Sequence, residues 1–371
     1  HLIPGHHSAV GNKGISYIDD FESSRTSIDI KNMGAWRMAS IPEKQEDVFQ
    51  NSDLNNDLSL GYKRAKLAWY TIDPLFFRST SITPPNINKT ISLANGNTIA
   101  QQSYHYSREV LETEVFPNKD PDLGSQITNL AVLDLAYYPQ ERGSNNYTVN
   151  GIDEYGKLIS PSTSWGGIMR KLETNDFESA NIEFIEFWMM DPFNEEDGLA
   201  NHSGGDMYLH LGNVSEDVLR DGYKSFENGL PTSAIVEDVD TTAWGRVPTN
   251  FSIVEAFDND PSSRQFQDVG LDGLRNTDER LFFDSVYIQQ LLSAGYDATD
   301  PVYINALNDP SADDFHYFRG SDFDSKSTSI LDRYKNFNNT EGNSVTTDNS
   351  PESYPTAASS QPNTEDINRD H

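Results

Sequence analysis

The apolar runs of this chain are short, and clusters of Gly, Asn, Asp and Pro separate them. None approaches the roughly 18 residues that a helix needs to cross a bilayer. Short runs between turn-formers give short strands, because each strand must stop where the turn begins. Residues 15–22 join an apolar strand to an acidic end, and residues 27–30 alternate with period two. Further strands are expected around residues 108–112, over 130–138 with Pro139 as the stop, and at 207–211 after the Gly204-Gly205 turn. Residues 182–190 are the run densest in β-formers. The expected fold is mainly β: a jelly-roll-like β-sandwich with long insertions at 45–65 and 80–100, followed by a mixed region of short helices and loops.

The change of character comes after Ser215. Residues 216–220 read as a short helical turn stopped by Asp221-Gly222. Over 278–292, Leu281, Val286 and Leu291 recur at helical spacing, and Gly295 stands just past the end. Residues 329–336 form another short helix candidate. Beyond about Asn338 the sequence is Ser, Thr, Asn, Pro and Asp, which offers little apolar area to offset ordering entropy, so an extended or disordered linker is expected. The expected divisions are a leader segment over 1–13, a sandwich over 14–215, a mixed region of short helices and acidic loops packed on it over 216–337, and the linker over 338–371. No internal repeat is evident. The chain begins at His1 without a basic segment and apolar run behind it, and reads as a piece of a longer polypeptide.

Charge narrows the partners. The 371 residues carry 27 Lys+Arg against 58 Asp+Glu, a formal net charge of −31. Such a field repels phosphate backbones and anionic headgroups, so nucleic acid is not expected, while divalent cations and basic protein surfaces are favoured. The chain has no cysteine, which removes thiolate nucleophiles, disulfides and Cys-ligated metals.

One stretch has the spacing of a cation loop. In Asp268-Val-Gly-Leu-Asp-Gly-Leu-Arg-Asn-Thr-Asp-Glu279, the first, fifth and twelfth positions are Asp268, Asp272 and Glu279, with Gly273 where a sharp turn is needed. A hard cation gathers six to eight oxygens around one point, and a final Glu can supply two of them. Asp268, Asp272, Asn276 and Glu279 are the candidate calcium ligands. Gly270 stands where a ligand-bearing residue is expected, so one ligand is missing, and an acidic turn capping the next helix is the rival reading.

Other patterns are weaker. Asp53-Leu-Asn-Asn-Asp57 and Asp366-Ile-Asn-Arg-Asp370 share the D-x-N-x-D form without a closing carboxylate, and Asp258-Asn-Asp260-Pro261 reads as a turn. Asp19-Asp20-Phe21-Glu22 reads chiefly as a strand-end cap. The eight histidines include no H-E-x-x-H; His6-His7 reads as a loop pair and His210 as a satisfied strand residue. There is no G-x-S-x-G elbow and no P-loop, so no catalytic constellation and no enzyme activity are expected. Trp188 reads as core and Trp165 as the tryptophan to inspect for exposure.

Several longer strings carry a resemblance. They are Gly14-Ile-Ser-Tyr-Ile-Asp-Asp-Phe-Glu22, Arg64-Ala-Lys-Leu-Ala-Trp-Tyr-Thr-Ile-Asp-Pro-Leu-Phe76, Tyr138-Pro-Gln-Glu-Arg-Gly143, Gly212-Asn-Val-Ser-Glu-Asp-Val-Leu219 and Lys224-Ser-Phe-Glu-Asn-Gly-Leu-Pro231. The 268–279 stretch and Thr364-Glu-Asp-Ile-Asn-Arg-Asp370 join them. Together they resemble the SprA/Sov family, the giant outer-membrane translocon of type IX secretion and gliding in Bacteroidetes. The resemblance implies a parent that is a very large β-barrel with a lateral opening, served by a PorV-like shuttle protein, a plug protein and secreted cargo. The chain lacks a series of strands with an apolar lipid face, so it is expected not to span the membrane itself but to be an insertion between barrel strands. The extracellular face is the expected location, because long insertions sit there, with the periplasmic side as the other possibility. Pore gating or contact with cargo is the expected work, and a carbohydrate-binding jelly-roll module on the cell surface is the alternative.

Overall fold

The structure, a computed structural model, describes residues 2–4, 16–18, 29–49, 52–118, 128–173, 176–178, 182, 184–193, 204–225, 233, 235–250, 260, 263, 266–267, 269–337 and 364–368. The chain forms two compact units, residues 1–30 with 172–189, and residues 31–171 with 190–371. In the first, strand β1 (Leu2–Pro4) pairs antiparallel with β2 (Ser16–Ile18), Leu2 opposite Ile18.

Among its described residues the second unit carries five two-stranded antiparallel sheets. Its longest pairs β4 (Ala65–Tyr70) with β9 (Asp134–Arg142). Lys66 faces Tyr138 but Ala65 faces Arg142, so residues 139–141 bulge out of the ladder. Pro139 sits in that bulge, where its missing N–H breaks no ladder bond; the strand runs past the residue expected to end it. Around this pair lie β3 (Arg37–Met38) with β10 (Ile168–Met169), β5 (Thr90–Ser92) with β6 (Thr98–Ala100), β7 (Val110–Leu111) with β8 (Asn129–Leu130), and β11 (Val239–Thr241) with β12 (Arg246–Pro248).

No sheet among the described residues exceeds two strands, so the expected jelly roll does not appear among them. Among the described residues helix, at 22%, outweighs strand, at 15%. Two runs read as strands are irregular instead. Residues 184–190 and 207–211 adopt no strand, and Phe184 (70% exposed), Trp188 (67%) and Met207 (59%) face solvent. β-Propensity reports fitness for a pleated, half-buried surface, and without a partner strand it specifies nothing. Trp188 is therefore not the core residue its neighbours suggested. Around residues 108–112 the expected strand is two residues long and runs straight into helix α1 (Glu112–Val115), where Arg108 pairs with Glu114 at 2.7 Å.

Helices fill the C-terminal part. Helix α2 (Asn276–Phe282) continues through a π-helical turn (Asp284–Ile288) into α3 (Gln289–Ser293). The wide turn is fixed by the Ile288 N–H donating to Phe283 O at 3.2 Å. Gly295, at φ +101°, follows the end as its position promised. Then come α4 (Pro301–Asn308), α5 (Ser321–Lys326) and α6 (Ile330–Tyr334). Ser329 caps α6, its hydroxyl accepting from Asp332 N–H at 3.2 Å. Residues 216–220 form no helix; Arg220 takes a left-handed backbone at φ +58°.

Two apolar cores result. One joins Leu60, Ala65, Tyr147, Trp244, Phe283, Tyr287, Leu291 and Ala306. The other joins Ala68, Tyr70, Phe76, Phe318, Tyr334 and Phe337. Strand β4 feeds both, since Ala65 belongs to the first and Ala68 and Tyr70 to the second. Ring stacking tightens each: Tyr147 on Phe283 with centroids 4.2 Å apart, Tyr70 on Tyr334 at 4.4 Å. With so little ladder, many backbone carbonyls need other donors. Fully buried Arg64, Arg220 and Arg333 supply them, reaching Ser144 and Val218, Ile41 and Ser52, and Phe318 and Thr328 respectively.

Candidate metal centre

The loop before α2 is held by its backbone. The Asp272 carboxylate accepts from Leu274 N–H at 2.9 Å, and its carbonyl accepts from Arg246 N–H of β12 at 2.8 Å. Backbone meets backbone closely here. A Cβ on Gly245 would lie 2.1 Å from Asp272 O, and one on Gly273 2.3 Å from Arg246 O; both residues have positive φ. Glycine is required at both positions by space and by conformation. The helix then presents Glu279 inward, with no exposure, one turn after the loop.

A second loop, residues 308–314, closes over the first. Arg142, reaching from β9, donates to Pro310 O at 2.6 Å and to Asp309 O at 2.9 Å. Ser311 ties the loops together: its N–H donates to Glu279 Oε2 at 3.0 Å and its hydroxyl to Asp272 Oδ2 at 2.6 Å. Tyr147 OH lies 2.9 Å from the same hydroxyl. Ala312, at φ +55°, turns the chain so that Asp313 points inward, and Asp313 N–H donates to Asp309 Oδ1 at 3.1 Å.

The outcome is a knot of carboxylates. One oxygen each of Asp272, Glu279 and Asp313 lie within 4.8 Å of one another, all buried. Asp309, Asp313 and Asp314 form an adjoining group of the same dimensions. Burial disfavours the charged forms and like charges compound it. The Asp272 carboxyl is raised to about 7, chiefly by burial, with Ser311 and Arg246 pulling the other way. Glu279 is raised well above the ordinary range by burial and then by Asp272 and Asp309. Asp313 is raised by burial, then by Glu279 and Asp272. Arg246 is divided between this charge and Asp278, 3.8 Å away. An all-oxygen donor set with this charge matches what calcium takes, and Asp272, Glu279 and Asp313 are the residues that would hold it, with Asp309 and Asp314 beside them.

Of the sequence candidates, the structure joins Asp272 and Glu279. Asp268 lies outside the described residues. Asn276 is directed elsewhere, its amide donating to Asn308 O at 3.2 Å and to Asp314 at 2.8 and 2.9 Å. It thereby orients an acid of the adjoining group. Asp309, Asp313 and Asp314 were missed. Their only signal was an Asn-Asp-Pro turn followed by paired acids, and Ser311 is 32 residues beyond Glu279.

The other candidates have local duties. Asp53 accepts from Lys44 N–H at 2.7 Å and Asp57 caps a short helical turn over Leu58–Gly61. The 19–22 cluster and His6-His7 lie outside the described residues, as does the 258–261 turn apart from Asp260. His210 is not in a strand; its ring clusters with those of Phe49 and Tyr208, and its buried Nε2 has no hydrogen-bond partner. Trp165 is half-buried beneath the Arg64 guanidinium, 5.0 Å from its ring centre. Trp36 lies under Arg170, and Trp69 and Trp244 are core. No helix among the described residues is long and apolar enough to cross a membrane.

Residues 286–371 match the SprA_N family, described as motility related/secretion protein. No curated protein matches the chain.

Proposed function

We propose that the chain, whose residues 286–371 match the SprA_N family of motility related/secretion proteins, is a non-enzymatic part of an outer-membrane translocon of type IX secretion. Its work is mechanical: it covers the pore mouth, shapes the exit, or touches cargo, a PorV-like shuttle or a plug protein. The rest of the parent barrel supplies the membrane span, and the extracellular face is the proposed location. The observation that carries this reading is the matched region itself, whose helices pack into both cores. The acid-rich site is buried between two loops. Deleting residues 31–371 from the parent tests the reading. Loss of secretion with the barrel still assembled supports it; undiminished secretion overturns it.

We further propose that Asp272, Glu279 and Asp313 bind calcium. Three buried carboxylates within one small space support this, because a divalent cation relieves their mutual repulsion. Isothermal titration of the wild type against a D272A/E279A double variant and a D313A variant is the test. Equal heats in all three would discard the site. The exposed ring of Trp188 favours one second reading, a carbohydrate contact. Affinity-gel retardation by surface glycans, abolished in Trp188→Ala, would replace the first reading with that one.

A further inference from the structure

We propose that residues 216–225 form a binding site for an acidic peptide segment, built to receive one glutamate side chain, and that Thr364–Asn368 is the ligand this chain itself supplies. The glutamate is Glu365, which has no exposed surface. Its Oε1 accepts from the successive backbone N–H groups of Val218 and Leu219, at 2.9 and 3.2 Å, and its Oε2 from Ser225 N–H at 3.0 Å. Three amides converging on one carboxylate make an anion cradle of main chain. The left-handed turn at Arg220 brings both sides of the cradle together.

The cradle is held from behind by contacts independent of Glu365. Buried Arg64 donates to Val218 O at 3.1 Å and places its positive charge behind the cradle. Arg220 donates to Ile41 O and Ser52 O, and its own carbonyl accepts from Asn56 N–H at 2.6 Å. Asp217 accepts from Asp221 and Gly222 N–H, and Asp221 accepts from the Thr242 hydroxyl at 2.8 Å. A loop so braced keeps its amides aimed at one point.

The residues flanking Glu365 read as sequence recognition. Lys224 pairs with Asp366 at 3.5 Å, and Glu216 accepts from Ile367 N–H at 2.8 Å and from the Asn368 amide. Glu365 N–H donates back to Ser225 O at 3.2 Å, a main-chain contact of the kind made when a peptide is added to a strand edge. The site thus specifies a short segment with Glu at the buried position, Asp next and Asn two further on.

Hydrogen exchange on the full chain tests this. In Glu365→Ala, the amides of Val218, Leu219 and Ser225 are expected to exchange about tenfold faster or more, as three buried hydrogen bonds are lost. Those of Tyr287 and Ile288 in the first core are expected to keep their protection. A synthetic peptide of residues 360–371 added to that variant is expected to restore protection, and the same peptide with Ala at position 365 is not. Unchanged exchange at 218, 219 and 225 would overturn the proposal. So would loss extending to 287 and 288, which would make Glu365 an ordinary core residue, and so would failure of the peptide to restore protection.

Discussion

Ser311 holds Asp272 with its hydroxyl and Glu279 with its amide, and so ties the two carboxylates to one residue. The arrangement has a pH signature. The Asp272 carboxyl stands at about 7 in the fold against about 3.8 in the unfolded chain, so the folded protein binds its proton more tightly over that interval. Stability from this group is full below about 3.8 and is lost as pH rises through 7. Glu279 and Asp313 are shifted in the same direction. In a chelator the melting temperature is therefore expected to fall between pH 5 and pH 8, and calcium is expected to restore it at pH 8 far more than at pH 5. A melting temperature indifferent to calcium at pH 8 would contradict the cation reading. Glu279→Gln, which keeps the shape and one acceptor, should raise chelator-form stability at pH 8 and abolish the calcium effect. Thermal melts of that variant with and without calcium decide the point.

Elements here are short, and their joints carry much of the specification. The loop of Asp272 and strand β12 meet through Gly245 and Gly273, neither of which has room for a methyl group. Gly273→Ala is expected to destabilise the second unit by about 3 kcal/mol through clash and left-handed strain together, measurable by urea unfolding. Ser329→Ala removes a helix cap from α6 and should cost about 1 kcal/mol by the same assay. The helix after Ser329 and the stop at Gly295 were legible, because helix spacing and termination depend on residues a few positions apart. The run at 278–292 was legible as helix for the same reason, though not the π-helical turn within it, which no spacing announced. Strands fared worse. Residues 207–211 have the composition of a strand and no partner, and pairing is a property of two segments rather than one.

At the scale of the second unit, β4 joins two cores that would otherwise be separate. Tyr287→Ala in the first and Tyr334→Ala in the second should each cost about 4 kcal/mol. Because both cores use the β4·β9 pair, each variant is expected to shift one common unfolding transition. Two separate transitions, one moved by each variant, would show that the strand does not couple them. The far segment 364–368 is also fixed to this unit through Glu365, in a stretch whose composition suggested an extended linker.

From the order of its residues alone, this chain determined its acidity, its lack of thiols, the helix end before Gly295 and a loop able to present Asp272 and Glu279. These depend on composition or on neighbours within a few positions. Only the tertiary structure decided that Asp313 completes the group, that Glu365 fills a cradle of main-chain amides, and that residues 184–190 and 207–211 form no strand. Each of those outcomes requires segments distant in sequence to meet, and both the burial that raises a carboxyl's pKa and the partner that makes a strand exist only after they have met.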